Sequence, residues 1–383
     1  MKNEERKKEF FWYWFVNIPE IGNVTRKRLL ERFFRPEALF LAEEKEYADL
    51  LSKRQLAALK SSKELSDVKD SFERMLEGGI RFLHWESPSY PEKLRRIYDP
   101  PLGLYVKGSL PQREKPMLAM VGSRRATEYG MSMANNFAGI FAENGIQVVS
   151  GLAAGIDAAS HRGVLSKGGY TLGVLGGGID TIYPRENFNL YMEMYQRGGV
   201  LSEYNRGIPN RPGLFPVRNR IISGLADGIF VLEAGSRSGS LITADQALEQ
   251  GRDVYVLPGR ITDRMSEGCN RLIAQGAYLV QKPEDILEPL LSQHEWKKER
   301  TDRSFCRGER HTDLFHEHHF ETEEQKKIYE LLDEKDPTSF DGILEKSGYA
   351  MLKLQYILLE MELRGMVCQL SQNNYIRREV YEL

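Results

Sequence analysis

"GIFVLEAGSRSGSLITADQALEQG", residues 228–251, decides the fold class. It opens on a short continuous apolar run, crosses a glycine- and serine-rich loop carrying one arginine, and ends in a helical segment that stops at Gly251. An apolar run without alternation is what a strand carries when both faces of its sheet are covered. A glycine just past the last helical residue is a common helix stop. The same unit recurs from 116 to about 280. Its other strands read "MLAMV", "IQVVS", "YTLGVL", "GVLSEY", "DVYVL" and "AYLV", and "GMSMANNFAGIFAENG" is a second clear helix. Strand, glycine loop and helix in series predict an α/β fold with a doubly wound, Rossmann-like, mostly parallel sheet.

Outward from this unit the patterns change. Residues 1–78 read as short helices, a small domain of the SAM or helix–hairpin–helix type. In it, "IPEIGNVTRKRLLERFF" supplies a hydrophobic–Gly turn and a basic amphipathic helix. That turn either presents backbone N–H groups to a phosphate, or Gly22 simply joins two helices of a packed cap. Residues 79–290 form the Rossmann-like domain, entered through an aromatic- and proline-rich connection that ends in the strand "LGLYVKG". Residues 291–322 are polar and aperiodic, as in a flexible linker. Residues 323–383 give three helices and a hairpin, a winged-helix pattern.

Bulk numbers bound the function. A chain of 383 residues holds roughly two to three domains, and 41% hydrophobic residues supply a sizeable core. A net charge of −2 excludes a protein that coats nucleic acid by overall charge, so any polyanion must meet a local patch. Cys269, Cys306 and Cys368 form no CxxC pair, which fits a reduced compartment. The run "FFWYWFV" is too short to span a bilayer and precedes no small-residue cleavage site, so a cytoplasmic location is expected.

In an open parallel sheet, ligands bind outside the carboxyl ends of the strands where strand order reverses. The loops at that edge are glycine-rich, and five of six carry arginine. Loop 122–130 offers Gly122, Ser123 and Arg124, and loop 150–157 offers Gly151. Loop 176–187 offers Gly177, Arg185 and Asn187, and loop 233–243 offers Ser238, Gly239 and Ser240. The sixth is 258–270. Loop 204–220 stands apart. Between Glu203 and Asp227 no acid occurs, while Arg206, Arg211, Arg218 and Arg220 give it a charge of +4. Bare glycine amides and helix N-termini beside guanidinium groups predict an extended site for a phosphate-bearing ligand.

Within that loop, Pro216 suits the first turn of a helix. Arg218 and Arg220 lie about 200° apart around it, so one is expected to clamp phosphate and the other to lock the neighbouring loop. Asn219 can bond a base edge or cap a loop. Phe215 either offers a face on which a base stacks or is a buried staple. His161, the one histidine between 116 and 280, reads as structural or phosphate-neighbouring. Asp157 and Asp180 read as helix caps. Glu203 and Glu233 end strands, to orient arginines or to act as bases.

Several chemistries lack their signatures. "GVLGGG" is not G-x-G-x-x-G, and neither a P-loop nor a G-x-S-x-G elbow occurs. No cofactor is expected. Cys306, His311, His316, His318 and His319 match no standard zinc spacing, so no metal is expected either. In "AMLKLQYILLEMELRG", Lys353 and Arg364 face Glu360 and Glu362, a balance that suits core packing or protein contact better than DNA reading.

The motifs "YPEKLRRIYDPPLGLYVKG", "VGSRRATEYG", "VVSGLAAGIDAASH", "GVLGGGIDTIYPRENFNL", "LSEYNRGIPNRPGLFPVRNRIISGLADGIFVLEAGSRSGSLITADQALEQGRDVYVLPG" and "SEGCNRLIAQGA" occur in this order over about 90–280. The chain thereby resembles the bacterial DNA-processing family DprA, also called Smf. The resemblance implies a single-stranded DNA-binding protein, not an enzyme, that loads RecA recombinase onto incoming DNA during natural transformation. It also implies a homodimer formed through the Rossmann-like domain. The family's basic pocket maps onto Arg124, Arg211–Phe215 and Arg218–Arg220, with Arg185 adding charge on the same edge. One departure is "SEYNRG", where Asn205 stands in place of the proline of "SE-x-P-x-G", which bears on the rigidity of that loop.

Two other readings stand beside it. The sheet would resemble the phosphoribohydrolases if Glu233 were a catalytic acid–base, although their "PGG-x-GT-x-x-E" stretch is here "EAGSRSGSLITADQ". Alternatively the winged-helix end reads the DNA and the sheet domain only dimerises.

Overall fold

The computed structural model describes residues 2–293, 322–333, 338–363, 366–370 and 374–377. It divides into two compact units, Met1–Phe305 and Cys306–Leu383. The expected linker and its cysteine–histidine group lie outside the described residues.

The first unit begins with six helices: α1 (Lys2–Val16), α2 (Asn23–Phe33), α3 (Pro36–Leu41), α4 (Glu44–Tyr47), α5 (Lys53–Ser62) and α6 (Ser66–Glu77). They lead into β1 (Arg81–His84), α7 (Glu92–Arg95) and β2 (Gly103–Gly108). The alternating part follows as β3 (Met117–Val121), α8 (Glu128–Glu143), β4 (Gln147–Ser150), α9 (Ile156–Ser166), β5 (Thr171–Gly178), α10 (Phe188–Arg197) and β6 (Gly199–Tyr204). It continues through α11 (Leu214–Leu225), β7 (Gly228–Val231), α12 (Gly239–Glu249), β8 (Asp253–Val256), α13 (Glu267–Ala274) and β9 (Tyr278–Leu279), and residues 284–293 form α14.

The nine strands form one sheet in the order β1-β2-β6-β5-β4-β3-β7-β8-β9. Pairing is parallel from β6 to β9 and antiparallel at β1–β2 and β2–β6. The doubly wound, mostly parallel sheet is thus as the sequence predicts. Strand β1 is an addition, since four residues beside a Trp-Glu-Ser-Pro run carry too little pattern to stand out of a connecting segment. The chain runs outward from β3 through β4, β5 and β6, then returns to the other side of β3 as β7, which puts the switch point between β3 and β7.

Both faces are covered, which is why the strands do not alternate. Met117, Ala119 and Val121 of β3 pack with α7, α11 and α12, while Leu118 and Met120 pack with α8, α9 and α14. The centre of the aromatic run of α1 is buried: Trp12, Tyr13, Trp14 and Phe15 join a cluster that includes Tyr105, Leu175 and Val200 of the sheet and Leu190 of α10. Residue 78 therefore separates two sequence patterns but not two cores. Gly22 begins α2 in extended conformation (φ −85°), so it starts a helix and supplies no left-handed turn. Ile18, Ile21 and Leu29 around it are buried, and Asn23 donates to Glu203 Oε1 at 3.2 Å. Of the two readings of this segment, the packed cap is the one the geometry matches.

The second unit holds α15 (Glu323–Leu331), β10 (Thr338–Ser339), α16 (Phe340–Ser347), α17 (Met351–Leu363), β11 (Val367–Leu370) and β12 (Asn374–Arg377), with strand order β10-β12-β11. Leu354, Ile357, Leu358 and Met361 of α17 are buried in its core at helical spacing. Three helices and a small antiparallel sheet make the expected winged helix.

Candidate nucleic-acid interface

A cleft of about 370 Å³ opens outside the carboxyl ends of β3 and β7, at the switch point. Nine of the fifteen residues expected at the site line it: Gly122, Ser123 and Arg124 from the loop after β3, Phe215, Arg218 and Asn219 from the start of α11, and Ser238, Gly239 and Ser240 at the start of α12. Ser238 caps α12, its Oγ accepting from the Ser240 N–H. The N–H groups of Arg124 and Gly239 have no protein acceptor among the described residues. Free amides at a helix N-terminus and a glycine turn are suited to an anion.

The two arginines of α11 divide as their 200° separation requires, but neither is an exposed clamp. Arg218 is buried at the base of the cleft, where Nη1 donates to the carbonyls of Gly151 (2.7 Å) and Val174. Burial lowers its pKa to about 10, opposed by the Asp157 carboxylate, so it stays charged at neutral pH. Arg220 points away and is held by Glu203 at 2.7 and 2.9 Å and by Asp99 at 3.4 Å. It locks a neighbouring segment, as one of the pair was expected to do, but as a residue of the binding surface it is corrected: its cation is neutralised outside the cleft. The free cations are Arg124 and Arg125. Both are exposed, both line the cleft, and neither has a carboxylate within ion-pair distance among the described residues.

Phe215 is half-buried. The Arg124 guanidinium lies 4.4 Å from its ring centroid on one side, and Tyr183 lies 6.1 Å away at 37°. It is neither the free platform nor the fully buried staple of the sequence reading. The ring fills the space left by Gly176, where a Cβ would come within 2.8 Å of it.

The remaining expected residues do not line the cleft, for distinct reasons. Gly151 makes room for Arg218, whose guanidinium would sit 2.4 Å from an added Cβ. Gly177 makes room for Asn210 in the same way. Asn187 is buried and donates to the carbonyls of Leu152 (3.0 Å) and Ala153 (3.2 Å), so its amide holds a loop and cannot meet a ligand. Arg185 and Arg211 are exposed outside the cleft lining. Leu152, at the centre of the held loop, is buried with φ 55°, a conformation a non-glycine residue adopts only when its surroundings impose it.

The carboxylates have structural tasks. Asp157 accepts the N–H groups of Gly151 (3.1 Å) and Ala153 (3.4 Å); burial raises its pKa and Arg218 opposes the rise. It does not cap α9, whose N-cap is Gly155. Asp180 accepts from the Gly207 N–H at 2.9 Å. Glu203 orients Arg220, but Glu233 orients no arginine. It accepts the N–H (2.8 Å) and the hydroxyl (2.5 Å) of Thr127, closing the start of α8, and Gly130 is small because that carboxylate fills the adjacent space. Both its oxygens are engaged in holding the loop before α8, a structural task that does not favour the phosphoribohydrolase reading. His161 is fully buried against Thr171 (2.6 Å) with its pKa lowered by burial to about 3, a core histidine.

An open α/β sheet with a guanidinium- and amide-lined cleft at its switch point defines a Rossmann-like α/β protein with a cationic cleft. Comparison with known proteins narrows the class. The family model described as DNA recombination-mediator protein A matches residues 81–291, and the DprA winged helix domain matches residues 320–373. Protein Smf of Escherichia coli is 38% identical over 297 residues, 76% of each chain. The DNA processing protein DprA of Streptococcus pneumoniae is 46% identical over 199 residues, 52% of this chain and 70% of that one. The X-ray structure of DprA from Streptococcus pneumoniae superposes with a TM-score of 0.66 at 34% identity, covering 73% of this chain and 98% of that one. A structure of DNA processing protein A from Helicobacter pylori, described for its single-stranded DNA binding mode, superposes with a TM-score of 0.51 at 29% identity, covering 56% and 96%. The chain belongs to the DprA/Smf family of DNA-processing proteins.

Proposed function

We propose that the cleft between β3 and β7 binds single-stranded DNA and that the protein, as a recombination mediator, loads RecA onto that strand during DNA uptake. The observation that carries the reading is the meeting of unpaired Arg124 and Arg125 with the free amides of Arg124 and Gly239 around an aromatic ring. Phosphates meet cations and amides, and bases meet rings, without a sequence code. The family's description as a recombination mediator and the single-strand binding of the Helicobacter relative support it. A mediator of this kind works in the cytoplasm with RecA, and among the described residues no helix is long and apolar enough to cross a membrane.

The working form is a homodimer. Strand β9 ends the sheet at one edge with Tyr278 and Leu279 exposed, an apolar edge that a second copy would cover.

Oligo-dT binding followed by fluorescence anisotropy across a salt series tests the cleft. Single strands should bind more tightly than duplex, with log K falling linearly against log salt by roughly 0.7 per phosphate contacted. Arg124→Ala should weaken binding and flatten that slope. No complex at low salt would end the reading. Loss of binding on removal of 322–383, with Arg124→Ala unaffected, would transfer it to the winged helix.

A further inference from the structure

Beside the cleft, outside its lining, lies one π-face that neither its sequence motif nor the cations explain. Tyr183 sits beside Phe215, the two ring centroids 6.1 Å apart and inclined by 37°. Phe215 is wedged between Arg124 at 4.4 Å and the backbone gap at Gly176. Tyr183, by contrast, is 49% exposed.

Its position is nonetheless fixed from behind. The buried Tyr191 hydroxyl accepts from the Tyr183 N–H (3.4 Å) and donates to the Tyr183 carbonyl (3.2 Å), so both main-chain groups are tied to a residue that is itself 1% exposed. The Tyr183 hydroxyl has no partner among the described residues, so it is not what holds the ring in place. A clamped backbone carrying an uncovered ring, adjoining a second ring under a guanidinium, is the arrangement of a stacking platform.

We propose that Tyr183 is a second base-stacking residue, so that one unpaired nucleotide base rests on Tyr183 while the adjoining phosphate is held by Arg124. This rests on the reading of the cleft as a single-strand site. The occupant follows from continuity with that cleft: a planar ring reached from cationic and amide-lined walls suits a nucleobase. Beyond Tyr183, Arg185 is exposed and has no ion-pair partner among the described residues, and Phe188 is 51% exposed, so the strand has a charged and apolar path out of the cleft on this side. Stacking reads no base edge, so the residue adds affinity without sequence preference.

Binding of oligo-dT and of an abasic oligonucleotide of equal length, measured over a salt series, tests the assignment on the full chain. Tyr183→Ala should weaken oligo-dT binding about 5- to 100-fold, leave the salt slope unchanged, and leave the abasic strand unaffected. Tyr183→Phe should bind as the unaltered protein does, and Tyr183→Trp should add tryptophan fluorescence that oligo-dT quenches and the abasic strand does not. Equal oligo-dT affinity for Tyr183→Ala, or equal losses on both strands, would overturn the stacking role while leaving the cleft reading intact. If the unaltered protein binds no single strand, both fall together.

Discussion

Two halves of the same sheet edge look alike in sequence and differ in what their glycines do. On the β3–β7 side, the loops at 122–125 and 238–240 leave amides and guanidinium groups facing open space. On the β4–β5 side, the loops at 151–153 and 176–179 are filled from within. The Gly151 N–H goes to Asp157 and its carbonyl to Arg218, the Leu152 carbonyl to Asn187, and the Gly178 N–H to the Ile208 carbonyl. A glycine-rich loop thus marks a place where something approaches the backbone closely. Whether that is a ligand or the protein's own side chain depends on residues far away in the chain. Gly151 and Arg218 are 67 residues apart.

The comparison is most exposed to Arg218→Ala against Arg124→Ala. Both remove one guanidinium from the cleft lining. Arg218 is 4% exposed, and its loss would remove a buried donor from the Gly151 and Val174 carbonyls. Leaving a buried acceptor without its partner costs about 1–3 kcal/mol. Arg124 is exposed, so its removal should change stability by no more than ~0.5 kcal/mol while weakening DNA binding. Urea midpoints and anisotropy on both variants give the contrast directly. Equal stability losses would dissolve the distinction between filled and open loops.

A finer version uses the glycines themselves. An alanine Cβ at 151 would lie 2.4–2.6 Å from the Arg218 guanidinium, a group fixed by its own hydrogen bonds, and overpacking of this kind costs about 1–3 kcal/mol. An alanine at 239 meets nothing within 4 Å. Gly239→Ala should therefore fold with a change within ~0.5 kcal/mol and reveal itself only in binding, through crowding of a free amide. Thermal midpoints that fall equally for the two would show that space across from the glycine is not what separates them.

These contrasts also mark how far the sequence could be read. The strands were legible because a sheet covered on both faces writes unbroken apolar runs such as "MLAMV", and α11 was legible down to the opposite directions of Arg218 and Arg220. The occupancy of each loop was not. Nothing local to "SGLAAGID" announces that Asn187 and Arg218 will take its carbonyls, nor does "NR" show that Arg220 will meet Glu203. Tyr183 carries no local signal either, since the ring it sits beside belongs to Phe215, 32 positions on in the chain. Nor does the aromatic run of α1 show in sequence that Trp12, Tyr13, Trp14 and Phe15 share one buried cluster with residues of the sheet.

The smallest effect concerns the strap between α1 and the loop leading to Phe215. Asn205 Nδ2 donates to the Tyr13 hydroxyl at 2.6 Å, and its Oδ1 accepts from the Arg206 N–H at 2.8 Å. Arg206 continues the tie, donating to the Arg74 carbonyl at 2.9 Å. This is the position where the family pattern has a proline, and the two solutions restrict the same loop by different means: proline fixes φ, whereas Asn205 fixes the loop by anchoring it to α1. A double-mutant cycle with Asn205→Ala and Tyr13→Phe should return a coupling of about 1 kcal/mol in urea unfolding. Asn205→Ala should also weaken oligo-dT binding slightly at an unchanged salt slope, because no phosphate contact is lost. Zero coupling would mean that the filled half of the edge does not extend to this loop, and that the path to Phe215 is set by the loop's own backbone.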